Sequence, residues 1–211
     1  MKALKNILVG FIASFIGSIP LGYLNVIGYE LYRRSNIIQL IYYLIGVVII
    51  EAIVVFLTLY FANYLNKNQL LKKKIALFSV LFLSLLAIYF YKAAHSETQK
   101  YDYAIISLYP AFITGLVLSM LNFAQFPFWI SSNLYLVSQN YVDFDKKYRL
   151  YYVFATTFGT FFGMLLLIVG LQKITKLGYL SDNFISSNVW IIFLGLAILQ
   201  TIPFFKKYKK L

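Results

Sequence analysis

A chain of 211 residues that is 61% hydrophobic, 12% charged and +0.76 in mean hydropathy is too apolar for a soluble domain and reads as an integral membrane protein. The net charge of +12 does not point to nucleic acid, because the lysines and arginines sit between apolar runs rather than in one basic, aromatic-studded domain. The absence of cysteine excludes disulfides, thiolate metal sites and membrane thiol oxidoreductases.

Charges cut the chain into six apolar runs: Asn6–Tyr29, Ser35–Asn66, Ile75–Tyr91, Tyr103–Val142, Leu150–Gln172 and Asn183–Phe205. They are continuous rather than short and alternating, which gives the all-α class over a barrel, and each can span because about 20 apolar residues cross the hydrocarbon. The first follows Lys2 and Lys5, as a signal peptide would, but runs uncharged to Glu30 without a convincing cleavage site, so it is expected to remain as a span.

Inside that first run, Gly17, Pro20 and Gly22 predict a broken helix, since Pro20 lacks the N–H that would bond to the carbonyl of Ile16. Carbonyls freed in hydrocarbon must face protein or a wet cavity, so the break is either a ligand site at membrane depth or a kink used for packing. The second run is interrupted only by Glu51. The fourth holds 40 uncharged residues, which as one straight helix at about 1.5 Å per residue would overshoot the bilayer core roughly twofold. It is therefore expected to break between Asn122 and Pro127.

The fourth run also echoes the first. Gly10 and Ser14 recur as Gly115 and Ser119, again ahead of an amide and a proline. Three runs separate the copies, and an odd number inverts the second relative to the first. The fifth run carries Ala155, Gly159 and Gly163 at the four-residue spacing that allows close helix approach, and Gly46 and Ile50 hold comparable places in the second. The expected architecture is six transmembrane helices in two inverted three-helix repeats, residues 1–95 and 104–211, within one membrane domain and with broken first helices. Thirteen of the 19 basic residues fall at the two termini and in the loops after runs two and four, which predicts both termini in the cytoplasm.

A charged carboxylate at Glu51 would cost several kcal/mol at mid-membrane, so the residue is either protonated or faces a polar cavity; it is the candidate for proton coupling, with a neutral, helix-joining acid as the alternative. Glu30 stands three and four residues before Arg33 and Arg34, where a local ion pair is the simpler account. Pro20, Gly22, Asn25, Asn122, Gln125 and Pro127 are the substrate-binding candidates. The amides among them, with Asn133, offer donors and acceptors to the ends of a zwitterion, and interhelical hydrogen bonding is the alternative, above all for Asn25 and Asn133. Lone His95 makes a poor metal ligand, and Trp129, Trp190 and the other aromatics read as interfacial belts and packing. No nucleophile elbow, zinc-protease motif, P-loop or paired acids at helical spacing occur, so catalysis, a metal site and a cofactor are not expected.

The pattern Gly10-Phe11-x3-Ser14 leading to Pro20, then Gly46 and Glu51, then Gly115-x3-Ser119-x2-Asn122 with aromatics following, resembles the LysE/RhtB type of amino-acid exporter over nearly the whole chain. The family's Pro-Gly-Pro is reduced here to Pro20-Leu21-Gly22, and its Asn-Pro to Asn122-Phe123 with Pro127 further on. The resemblance implies a bacterial inner-membrane protein that exports amino acids or similar small metabolites, driven by the proton gradient, with the family's acid at Glu51, its first proline at Pro20 and its asparagine at Asn122. Expected partners are the small-molecule substrate and the lipid bilayer, with self-association allowed and no nucleic acid. Two rivals are an inorganic-ion exporter of the same superfamily, which would want several converging carboxylates, histidines or methionines, and a non-transporting membrane assembly factor, whose polar patches would face outward.

Overall fold

The computed structural model describes residues 2–19, 22–60, 110–123, 125–138, 141–142 and 146–179, with scattered positions between 70 and 92 and between 190 and 198. The elements are α1 (Lys2–Ser18), α2 (Tyr23–Arg34), α3 (Ile37–Tyr60), α4 (Ala111–Met120), α5 (Gln125–Ser138) and α6 (Lys146–Lys176), and no strand occurs among the described residues. The expected third and sixth spans lie largely outside the described residues, as do Pro20 and His95. Among the described residues two helices are each long and apolar enough to cross a membrane: α3, and Tyr148–Lys176 within α6. This is a membrane protein with helical spans.

Both expected breaks are present. α1 and α2 together are apolar enough for one span, but their axes turn by 74° where the first run was expected to break. In the fourth run α4 stops at Met120, short turn bonds follow from Asn122 N–H to the Ser119 carbonyl and from Gln125 N–H to the Asn122 carbonyl, and α5 starts at Gln125. Pro127 thus lies in the first turn of the new helix, where an N–H would have no intrahelical partner and its loss costs little.

The carbonyls at the two breaks are satisfied in the same way. Asn25 Nδ2 reaches back across the first break to the Ser18 carbonyl at 2.9 Å, and Gln125 Nε2 reaches back across the second to the Ser119 carbonyl at 2.9 Å. The first amide supplies the Ser18 carbonyl with a donor across the break, and the second joins the Asn122 N–H on the Ser119 carbonyl, in keeping with the requirement that backbone polar groups in hydrocarbon be paired.

Glycine seams set the packing. α1 lies on α6, where Gly10 faces the Tyr152 carbonyl at 2.9 Å from the position a Cβ would take, and where a Cβ on Gly159 or Gly163 would overlap Phe11 or Ser18. α4 lies on α3, where a Cβ on Gly46 would overlap the Phe112 carbonyl and one on Gly115 the Tyr43 carbonyl. α1 and α6 are parallel, since Gly10 meets Tyr152 and Ser18 meets Gly163, and so are α3 and α4, since Tyr43 meets Gly115 and Val47 meets Ser119. α3 and α6 meet the other way: Glu51 touches Thr160, while Thr58 and Tyr152 share Asn133 as a partner. With α3 antiparallel to α6, α1 and α4 run in opposite directions.

The seams also carry corresponding serine contacts. Ser14 on α1 hydrogen-bonds Thr160 on α6, and Ser119 on α4 donates to the Val47 carbonyl on α3 at 3.1 Å. Gly46 and Val47 of α3 stand where Gly159 and Thr160 stand in α6, and Glu51 stands where Met164 does. One buried cluster joins α2, α3 and α6 through Tyr29, Tyr43, Leu44 and Ile168, and a second joins α3, α5 and α6 through Val55, Trp129 and Tyr152.

Candidate functional site

Between the two clusters, bordered by both breaks, is a cavity of about 340 Å³, a volume within the range of small-molecule sites. Ser14, Gly17 and Ser18 enter it from α1, Gly22, Tyr23 and Asn25 from the start of α2, Glu51 from α3, and Asn122, Gln125 and Trp129 from the second break and α5. Thr160 and Met164 close it from α6. Four predicted residues, Gly22, Asn25, Asn122 and Gln125, are therefore brought together with Glu51. Pro20 lies outside the described residues, and Pro127 is described only as part of the first turn of α5.

Their hydrogen bonds divide them. Asn25 and Gln125 spend donors on the backbone of the breaks, as above. Asn122 makes no side-chain hydrogen bond with the described residues, so its amide has both functions available to the cavity. Tyr23 donates its hydroxyl to the Leu118 carbonyl, tying the start of α2 to the end of α4 across the cavity.

Glu51 is held through one oxygen. Trp129 Nε1 donates to Oε1 at 3.1 Å and Thr160 Oγ1 donates to the same atom at 2.9 Å, while Oε2 has no hydrogen-bond partner among the described residues. An indole N–H can only donate, so Oε1 is an acceptor in either protonation state. With both donors on Oε1, Oε2 is the oxygen that can take a proton without disturbing a hydrogen bond. The carboxyl thus presents one fixed oxygen and one exchangeable one. Among the described residues lining the cavity, Glu51 is the only acid and there is no Lys, Arg or His. Such a lining favours a cation or the ammonium end of a zwitterion over an anion.

Trp129 and Thr160 were not identified as site residues from the sequence. Trp129 reads there as belt or packing, but it is 2% exposed and bonds the intramembrane acid. Thr160 was not singled out there; its signal was the register between the second and fifth runs, which sets it in the place that Val47 holds four residues before Glu51. Asn133 takes its structural alternative, donating to Thr58 Oγ1 at 3.1 Å and accepting from the Tyr152 hydroxyl at 2.8 Å, apart from the cavity. Glu30 does likewise: its Oε2 lies 2.9 Å from Arg33 and 3.3 Å from Arg34. Among the described residues no group of three or more His, Asp or Glu converges as a metal site would require.

No family model, curated protein or solved structure matches the chain.

Proposed function

We propose that the chain is a secondary transporter of the bacterial inner membrane that exports an amino acid or similar small amine-bearing metabolite in exchange for protons. One observation carries this reading: two helix breaks, on helices that run in opposite directions, border a single cavity that also holds Glu51. Discontinuous helices meeting at an intramembrane site are the construction of transporters, and an ionisable group there is costly unless it serves the site. The matched seams, α1 on α6 and α4 on α3, favour two inverted repeats, residues 1–95 and 104–211, whose six spans form one domain.

The coupling step follows from the two carboxyl oxygens. Oε1 stays fixed by Trp129 and Thr160, while Oε2 takes either a proton or the hydrogen bond of a substrate ammonium. The two ligands exclude each other at one atom, so binding one releases the other, and a difference in proton availability across the membrane drives the substrate outward. The second repeat has Met164 in the corresponding place, also against the cavity, which leaves one carboxylate to do the coupling.

The test is purified protein in liposomes under an imposed pH gradient, with amino acids, dipeptides and simple amines as solutes. Gradient-dependent movement of at least one amine-bearing solute is expected. Gradient-dependent movement of none of them refutes the reading. Topology is tested separately: because the chain has no native cysteine, single cysteines at Asn68 and Gln99 should label from opposite faces, with Asn68 cytoplasmic. Labelling of both from one face refutes the six-span scheme.

A further inference from the structure

At the end of the bundle away from Lys2 and Lys5, a second and larger space lies between three helix ends. α2 ends in Arg33 and Arg34, the chain turns at Ser35 and Asn36, and α3 begins at Ile37 with Asn36 Oδ1 accepting the Gln39 N–H at 3.0 Å. The last turns of α6 lie alongside, joined to α2 by the Tyr29 hydroxyl, which donates to Thr175 Oγ1 at 3.1 Å. The space they enclose measures about 520 Å³ and is lined by Tyr32, Arg33, Asn36, Ile37, Gln172 and Lys176 among others.

Its chemistry is the reverse of the mid-membrane cavity. Among the described residues two cations line it, with the neutral donors of Gln172, Asn36 and Tyr32, and no acid does. Glu30, the acid next to it, is buried and holds both Arg33 and Arg34 on its Oε2. Lys176 makes no ion pair among the described residues. Basic residues at the ends of α2 and α6 would complement the helix dipoles even without a ligand. That role does not require a polar space of this size between the two ends, walled by both cations.

From this we infer that the space is a binding site for a phosphate-bearing anion, and that its occupant is the headgroup of an anionic phospholipid. The guanidinium of Arg33 and the ammonium of Lys176 supply charge-assisted donors to phosphate oxygens. The surroundings separate a lipid from a soluble phosphate. Ile37 on the wall is 40% exposed and Leu177, next to Lys176, is 63% exposed, giving the acyl chains an apolar surface at the level where lysine and arginine stems reach toward headgroups. The inference does not depend on the transport reading.

The experiment is native mass spectrometry of the full chain, delipidated in detergent and titrated with phosphatidylglycerol, phosphatidylcholine or inorganic phosphate. Phosphatidylglycerol should give a saturable single adduct that phosphatidylcholine does not. Lys176→Gln should weaken it about tenfold, the scale of a lost charge-assisted hydrogen bond, while Lys176→Arg retains it and Lys5→Gln at the far end leaves it unchanged. Inorganic phosphate that displaces the lipid in wild type, but less well in Lys176→Gln, upholds the anion site and makes its occupant a soluble phosphate. Equal binding of the two lipids, or a Lys176→Gln protein that binds like wild type, overturns the inference.

Discussion

Glu51→Gln should abolish both pH-gradient-driven transport and substrate exchange at equal pH while leaving the protein inserted and folded. The amide oxygen of glutamine can accept from Trp129 and Thr160 as Oε1 does, and its NH2 takes the place of the protonated Oε2, so the variant imitates the neutral acid without being able to titrate. Glu51→Asp should keep part of the driven flux, because the charge survives but the shorter side chain draws the carboxyl away from both donors. The measurement is uptake and counterflow in liposomes with and without a pH gradient, beside thermal unfolding in detergent. Normal gradient-driven flux by Glu51→Gln would return the residue to a structural role.

The second large effect is expected on stability. Gly115→Ala places a Cβ onto the Tyr43 carbonyl and against the Val47 N–H of α3, backbone atoms that cannot rotate away, so α3 and α4 must separate. The cost should be about 1–3 kcal/mol for alanine, as for other overpacked sites, and Gly115→Leu should fail to accumulate as folded protein. Gly170→Ala is the control within α6: nothing lies within 4 Å of the added atom, and the helix should gain roughly 0.5–1 kcal/mol. Unfolding midpoints in one detergent compare the two directly, and equal midpoints for Gly115→Ala and wild type would remove the seam as a source of stability.

Both breaks were legible because proline and glycine act locally, on the hydrogen bonds of their own turn. Where the second break falls was less legible. Pro127 marks the region but not the end of α4, since a proline is tolerated in the first turn of a helix and the chain opens before it, at Leu121 to Phe123. The acid at Glu51 was legible because a charge in an apolar run has few explanations. Its partners were not, for sequence gives the period of a helix and not the azimuth at which it meets its neighbour. Trp129 in an apolar run looks the same whether its indole faces lipid or a carboxyl. The amides show the opposite limit: Asn25 and Gln125 were expected to offer their donors to a ligand, but the carbonyls at the breaks take those donors first.

The crossed seams impose an order on biosynthesis. α1 packs chiefly on α6, and Ser14 is separated from its partner Thr160 by 146 positions in the chain. At about 5–20 residues per second, a ribosome that has just made Ser14 takes roughly 7–30 s to reach Thr160. Through that interval the first helix, with Gly10 and Ser14 on its open face, waits in the insertion machinery or the lipid without the neighbour it needs. α3 likewise waits for α4. A translational pause after α5 would prolong the exposure of the polar face of α1 and leave Glu51 with Trp129 but without Thr160, and a chain released there would carry that unpaired face to the membrane's quality-control proteases.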